Sequence, residues 1–229
     1  MDNVFDLALH DFFHHRQQGP LLIHNKYGKP DEMDLAAYFR QEDDLSDLEA
    51  CALSLVQGKT LDIGAGVGSI SLILQAYGLD ITALEVSAVC SNIMQQRGVQ
   101  KVVRDDFFTF QPARPYDTLL LMMNGLGICG TLSNLPAMLV RFEELLAPGG
   151  QVLFDSSDVS YIDQPSVPAT RYMGEMDYRY EYQGQRGGWF TWLYIDSDRL
   201  KAELTPYNFN LQIVMEDANG QYLGRLTRQ

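Results

Sequence analysis

LDIGAGVGS, Leu61 to Ser69, decides the reading of this chain: an apolar strand runs into three closely spaced glycines and then into a helical pattern. Gly64, Gly66 and Gly68 remove side chains where the backbone must turn tightly and approach a ligand. The helix that starts near Val67 offers free N–H groups at the same place. The segment therefore reads as a nucleotide-type cofactor site. A dinucleotide fingerprint would set its third glycine at Ser69; here it falls one residue earlier, with Ala65 and Val67 between the glycines and Asp62 inside the strand.

Downstream, Leu79 to Glu85 is a second apolar run that ends in a carboxylate, followed by Val86. Glu85 is placed to accept both hydroxyls of a ribose, and its charge disfavours a 2′-phosphate. That suits S-adenosylmethionine or NAD and argues against NADP. The GxGxG spacing with Asp62 before it resembles motif I of class I S-adenosylmethionine-dependent methyltransferases. The phrase LLAPGGQVLFDSS resembles the turn and fifth strand of many such enzymes, and MNGLGICG and LFDSSD are similar to small bacterial members of that class.

The resemblance implies a Rossmann-like, doubly wound α/β fold with a seven-stranded mixed sheet in the order 3-2-1-4-5-7-6, the seventh strand antiparallel. The alternation along the chain agrees. It reads strand Thr60 to Ile63, helix to Tyr77, strand Leu79 to Leu84, helix Ser87 to Arg97, strand Lys101 to Arg104, then strands at Asp117 to Met123 and Gln151 to Asp155 around a helix from Ser133 to Ala147. Residues 1–58 are expected to form an N-terminal helical cap, with helices over Asp2 to Arg16 and Asp31 to Val56. Residues 59–229 form the main domain, in which 158–196 is an insertion carrying Pro165, Pro168 and an aromatic hairpin, Met176 to Tyr182 and Trp189 to Ile195. A short helix near Arg199 and two strands around a turn at Asp217 to Gly220 close the chain.

Composition narrows the partners. The chain has 229 residues, 46% hydrophobic and 21% charged, enough for one compact domain. A formal net charge of −13 argues against an extended nucleic-acid surface, which needs clustered Lys and Arg. No apolar run is long enough to span a bilayer, and the start carries acids where a signal peptide would be basic, so a cytoplasmic location is expected. Cys51, Cys90 and Cys129 are widely spaced and read as reduced packing residues. His10 and His14 stand at i, i+4 without a supporting Glu or Cys, and no metal is expected.

In an open parallel sheet, ligands bind beyond the carboxyl ends of the strands. After the third strand, the resemblance implies that Asp106, or Asp105 beside it, holds the adenine amino group, with Phe107 packing on the ring or offering its N–H. After the fourth strand, Asn124 stands where the transferred methyl should point, without the Pro-Pro-aromatic phrase of the amino-methylating DNA and protein-glutamine enzymes. After the fifth, Asp155, Ser156 and Asp158 can orient a substrate or accept a proton. Asn124 and Asp155 are thus the catalytic candidates. Each also has an ordinary reading as a turn-forming or capping residue.

Tyr27, Tyr38 and Arg40 could close over the cofactor, with Arg40 on its carboxylate. The aromatic hairpin suits either a pocket lining or the face of a homodimer. The expected function is methyl transfer from S-adenosylmethionine, with S-adenosylhomocysteine as product, to a small-molecule acceptor. The rivals are a non-catalytic cofactor-binding scaffold and an NAD-dependent oxidoreductase.

Overall fold

A computed structural model describes residues 3–26, 28–160 and 171–228. The chain opens with α1 (Asn3–Phe13), β1 (Leu21–Asn25), β2 (Asp31–Met33) and α2 (Asp47–Ser54). There follow β3 (Thr60–Ile63), α3 (Ser69–Ala76), β4 (Ile81–Glu85), α4 (Ala88–Arg97), β5 (Val102–Arg104), β6 (Tyr116–Leu121), α5 (Leu135–Leu145) and β7 (Leu146–Ser157). The last part contains β8 (Glu175–Tyr182), β9 (Gln185–Arg186), β10 (Phe190–Leu193), α6 (Ser197–Glu203), β11 (Phe209–Glu216) and β12 (Gln221–Arg228).

The large sheet has seven strands in the order β11-β12-β7-β6-β3-β4-β5. Pairing is parallel from β5 across to β7, and β12 joins β7 antiparallel. This is the expected order. Its strands are short apolar runs because both faces are covered by helices. Leu119 and Leu121 pack with Met138, Leu139 and Phe142 of α5, while Leu120, between them, packs with Leu53 of α2 and Leu74 of α3. The helix boundaries follow local chemistry. Ser87 accepts the Cys90 N–H at 3.1 Å to start α4, and Gly98 ends it in the left-handed region.

The N-terminal region departs from expectation. Among the described residues before β3 only α1 and α2 are α-helical, and the stretch read as one helix from Asp31 to Val56 is broken into β2, two 3-10 turns and α2. The reason is its supply of capping side chains. Asp34 accepts the Ala36 N–H, Gln41 and Asp44 cap each other's turn, and Ser46 with Glu49 forms a capping box. Each starts a new short element instead of extending the previous one.

β1 and β2 also pair into a second sheet. Its order is β10-β8-β1-β2, with β9 on β8, so the N-terminal strands and the aromatic hairpin make one layer. α1 packs on this layer and on α4, through a core of Val4, Leu9, Leu21, Cys90, Ile93 and Tyr182 that also holds Val67 of the glycine loop. The small sheet is thereby fixed over the carboxyl ends of the large one. Tyr27, Pro165 and Pro168 lie outside the described residues.

Candidate active site

The glycine loop leaves β3 with the Gly64 and Ala65 N–H groups donating to the Leu84 carbonyl at 2.9 and 3.1 Å. A Cβ on Gly64 would lie 2.8 Å from Ile128, and one on Gly68 would lie 2.7 Å from Met94 and 2.8 Å from Val99. Those two glycines are packing requirements. Gly66 differs: its φ is +55°, yet a Cβ there would meet nothing within 4 Å. A left-handed residue beside open space is a cradle. Asp62 lies buried beneath it and accepts the Ser71 hydroxyl at 2.6 Å, bracing β3 to α3. Arg97 braces the far end, donating to the Val67 carbonyl at 2.7 Å and to the Ser69 hydroxyl at 3.1 Å.

Glu85 stands at the tip of β4, buried, and each of its oxygens accepts a main-chain N–H: Oε2 from Gly66 at 2.9 Å, Oε1 from Ser87 at 2.8 Å. Burial pushes its carboxyl up from the ordinary value, and those two N–H groups pull it back. Ser87 in turn donates to Asp6 of α1 at 2.8 Å. The carboxylate is thus held rigidly and keeps acceptor capacity for further donors. Val86, beside it, is exposed.

After β5, Asp105 and Asp106 are both exposed. Asp105 accepts the Asp106 N–H and Asp106 accepts the Phe108 N–H, each at 2.8 Å. Of the two roles read for Phe107, ring packing and main-chain N–H, its burial leaves the second. Its ring is buried against Phe142 in the main core, so it cannot pack on an adenine, and only its main chain remains available.

After β6 the turn is strained. Met123 and Asn124 are consecutive non-glycine residues at φ +60° and +56°, a conformation that persists only where the surroundings impose it. Four hydrogen bonds do so. The Asn124 N–H donates to Asp155 Oδ2 at 2.9 Å, its side-chain oxygen accepts the Ser157 hydroxyl at 2.9 Å, and its carbonyl accepts the Gly127 N–H at 2.9 Å and the Trp192 indole N–H at 3.0 Å. Asp155 also accepts from Gln221 at 2.9 Å through Oδ2, while its Oδ1 is buried without a hydrogen-bond partner among the described residues. Asp155 therefore acts on the site through Asn124. Ser156 is engaged with the Ile195 main chain, and Asp158 accepts the Ser160 N–H at 2.8 Å.

The small sheet supplies the roof. Trp192 of β10 reaches the β6 turn, and Tyr38 accepts the Ser69 hydroxyl at 2.7 Å through its carbonyl. Tyr178, Tyr180 and Phe190 are half-buried and, by strand alternation and register, share the face of the small sheet from which Trp192 reaches the turn. Arg40 lies at the edge. Its guanidinium pairs with Glu49, donates to the Ala37 carbonyl at 2.6 Å and to the Met123 sulfur at 3.1 Å. Glu49 is the counter-charge of that arginine.

A family model described as a methyltransferase domain matches residues 34–213. The chain is similar over 99% of its length to the crystal structure of a SAM-dependent methyltransferase from Bacteroides fragilis in complex with S-adenosyl-L-homocysteine, covering 94% of that chain at 34% identity and a TM-score of 0.90. The chain belongs to the methyltransferase domain family. The glycopeptide N-methyltransferase MtfA, complexed with S-adenosylhomocysteine, shares the fold at 17% identity and a TM-score of 0.60, with 79% of this chain and 87% of that one covered. CalS10, an amino pentose methyltransferase from Micromonospora echinaspora, does so at 16% and 0.57, with 89% and 100% covered. No curated protein sequence matches.

The methyltransferase takes S-adenosylmethionine as its cofactor, and the site fits it. Gly66 leaves a cradle that a side chain would fill, and Glu85 offers an anchored carboxylate of the kind that two vicinal hydroxyls require. Reading the sequence missed Trp192, Gln221 and Arg97 as supports of this methyltransferase site. Each acts from an element distant in the chain, and nothing in its local pattern marks the contact.

One consequence is a pH dependence of stability. Burial lifts the carboxyls of Asp62 and Asp155 to about 6, against ~3.9 for an unfolded aspartate. The folded methyltransferase therefore binds their protons more tightly, and ionising each above its folded value costs about 3 kcal/mol. Stability should rise as pH falls from 7.5 toward ~5. Urea unfolding at several pH values should show this rise in the wild type and a shallower one in Asp62→Asn. A midpoint that ignores pH over that window would mean both carboxylates ionise without penalty.

Proposed function

We propose that the enzyme methylates a small molecule held between the strand ends of the large sheet and the aromatic face of the small one. The loop from Gly64 to Gly68 would hold the cofactor, with Glu85 accepting from the ribose hydroxyls and Val86, Asp105 or Asp106 and the Phe107 main chain available to the adenine. Bound there, the cofactor would supply a methyl group activated by its bond to a sulfonium sulfur, and Asn124 stands at the turn where an acceptor would meet it. This chain's own part is alignment: Asp62 and Arg97 hold the loop, Asp155 and Ser157 hold Asn124, and Trp192 holds the roof. Catalysis by such positioning needs no nucleophile or metal from the protein.

The observation that carries this reading is the Trp192 hydrogen bond to Asn124, which sets the aromatic layer directly over the fourth-strand turn. An acceptor must enter beneath that layer, which suits a small molecule better than a polymer. The net charge of −13 supports the same exclusion of nucleic acid. The inward aromatic face favours a pocket lining over a homodimer face. No described helix is long and apolar enough to cross a membrane, and a bacterial, cytoplasmic setting remains our reading. Calorimetric titration should give micromolar binding of S-adenosylmethionine and S-adenosylhomocysteine, and a panel of small acceptors should yield S-adenosylhomocysteine where nucleic acids and proteins do not. Product formed only with a macromolecule would overturn the reading.

A further inference from the structure

Six aromatic side chains close a circuit under the small sheet. Tyr38 meets Phe5 edge-on at 5.3 Å, Phe5 stacks on Tyr180 at 4.7 Å, and Tyr180 contacts Phe190 at 5.1 Å. Phe190 contacts Tyr178 at 6.1 Å, Tyr178 meets Tyr194 edge-on at 6.4 Å, and Tyr194 lies within electrostatic reach of Tyr38. All six are half-buried. The circuit is anchored to the glycine loop through Tyr38 and to the Asn124 turn by Trp192 of β10, two residues before Tyr194.

Strand alternation sorts the charges of this sheet. With the rings facing inward, the basic residues of β1 and β8 face out: His24 pairs with Glu181, and Arg179 lies over Trp189. Beyond the end of β1, Lys26 pairs with Asp177 and lies over Trp189 as well. Arg40, packed near Tyr38, has its charge met by Glu49. The Tyr178 hydroxyl donates to that of Tyr194 at 3.4 Å, and burial keeps the Tyr38 and Tyr178 phenols protonated. Six rings thus meet one another on the face of the small sheet that Trp192 ties to the Asn124 turn, in a chain of strongly acidic balance.

We propose that the methyl acceptor is an amine and that this aromatic cup is where its nitrogen becomes positively charged. The inference rests on the proposed position of the acceptor beneath the small sheet. The nitrogen enters as the free base, its proton already given to water. Its lone pair forms the bond to the methyl carbon while the carbon–sulfur bond breaks and leaves its electron pair on sulfur. Positive charge passes from sulfur to nitrogen, and a proton then leaves the product to water where the amine carried one. Ring faces around the nitrogen stabilise that charge as it develops, which is interaction gained in the transition state and not in the ground state. An anionic acceptor would be repelled by the same faces.

The test uses the full chain saturated with S-adenosylhomocysteine and compares choline with 3,3-dimethylbutan-1-ol, its uncharged carbon isostere, by calorimetry. Choline should bind about ten-fold more tightly. Phe190→Leu should remove the preference and keep S-adenosylhomocysteine binding, while Tyr178→Phe, which keeps the ring, should retain it. In a parallel panel, amines should yield methylated product where matched alcohols and carboxylates do not. Equal or tighter binding of the alcohol would overturn the proposal and leave the small-molecule reading standing. Binding of neither compound, with S-adenosylhomocysteine still bound, would overturn both. The wild-type comparison decides the matter even if Phe190→Leu fails to fold.

Discussion

Replacing Glu85 with alanine should weaken S-adenosylhomocysteine binding by at least ~100-fold. The carboxylate is buried at the tip of β4 and locked by N–H groups from Gly66 and Ser87. It is therefore already desolvated and oriented before ligand arrives, so its hydrogen bonds to the ribose cost little reorganisation. A hydrogen bond to a charged group contributes about 1.5–3 kcal/mol, and two of them account for the expected loss. The substitution also strands the Gly66 and Ser87 N–H groups, which loosens the cradle itself. Glu85→Gln, which keeps one acceptor, should fall between the two. Calorimetry on the three proteins, with thermal unfolding to confirm that each is folded, measures this. Unchanged affinity in Glu85→Ala would place the ribose elsewhere and remove the cofactor pose built on it.

That residue was legible because it belongs to a local phrase. An apolar run, a glycine loop and a carboxylate at the next strand end obey rules that act over a few residues, and the seven-strand order followed from them with the resemblance. The same locality explains what was missed. Between Asp31 and Asp44 the apolar spacing is too weak to hold a helix against Asp34 and Gln41, whose side chains cap new turns. β1 was invisible because its partner β8 lies 157 residues away in the pairing of Ile23 with Tyr180, and β2 in turn pairs on β1. Phe107 was read from its place in a motif, but the direction of a ring is decided by the core it can reach, here Phe142 on α5. Asn124 was placed correctly after the fourth strand, while the reason for its left-handed backbone came from Asp155, Ser157 and Trp192, three residues on two later strands.

Gly127 carries the other large expected effect, and it shows why MNGLGICG is rich in glycine. A Cβ at Gly127 would land inside the indole of Trp192. Gly127 is buried in a 3-10 turn, and Trp192 is fixed in β10 by its pairing with Met176, so neither side can yield as the end of a flexible chain would. Gly127→Ala must therefore drive the ring off the Asn124 carbonyl. Overpacking of this kind costs about 1–3 kcal/mol, and the lost hydrogen bond about 1 kcal/mol more. The functional cost should be larger. Displacing the roof by roughly an ångström spoils the alignment of acceptor and methyl, and misplacement on that scale lowers turnover by about 100-fold. S-adenosylhomocysteine affinity, which the proposed pose assigns to Gly66 and Glu85, should change little. Adding Trp192→Ala to the variant relieves the clash, so the overpacking part of the stability loss should be recovered while turnover stays low, because the anchor itself is gone. That split between recovered folding and unrecovered rate identifies Trp192 as a positioning residue. Wild-type turnover in Gly127→Ala would mean that the aromatic layer takes no part in holding the acceptor.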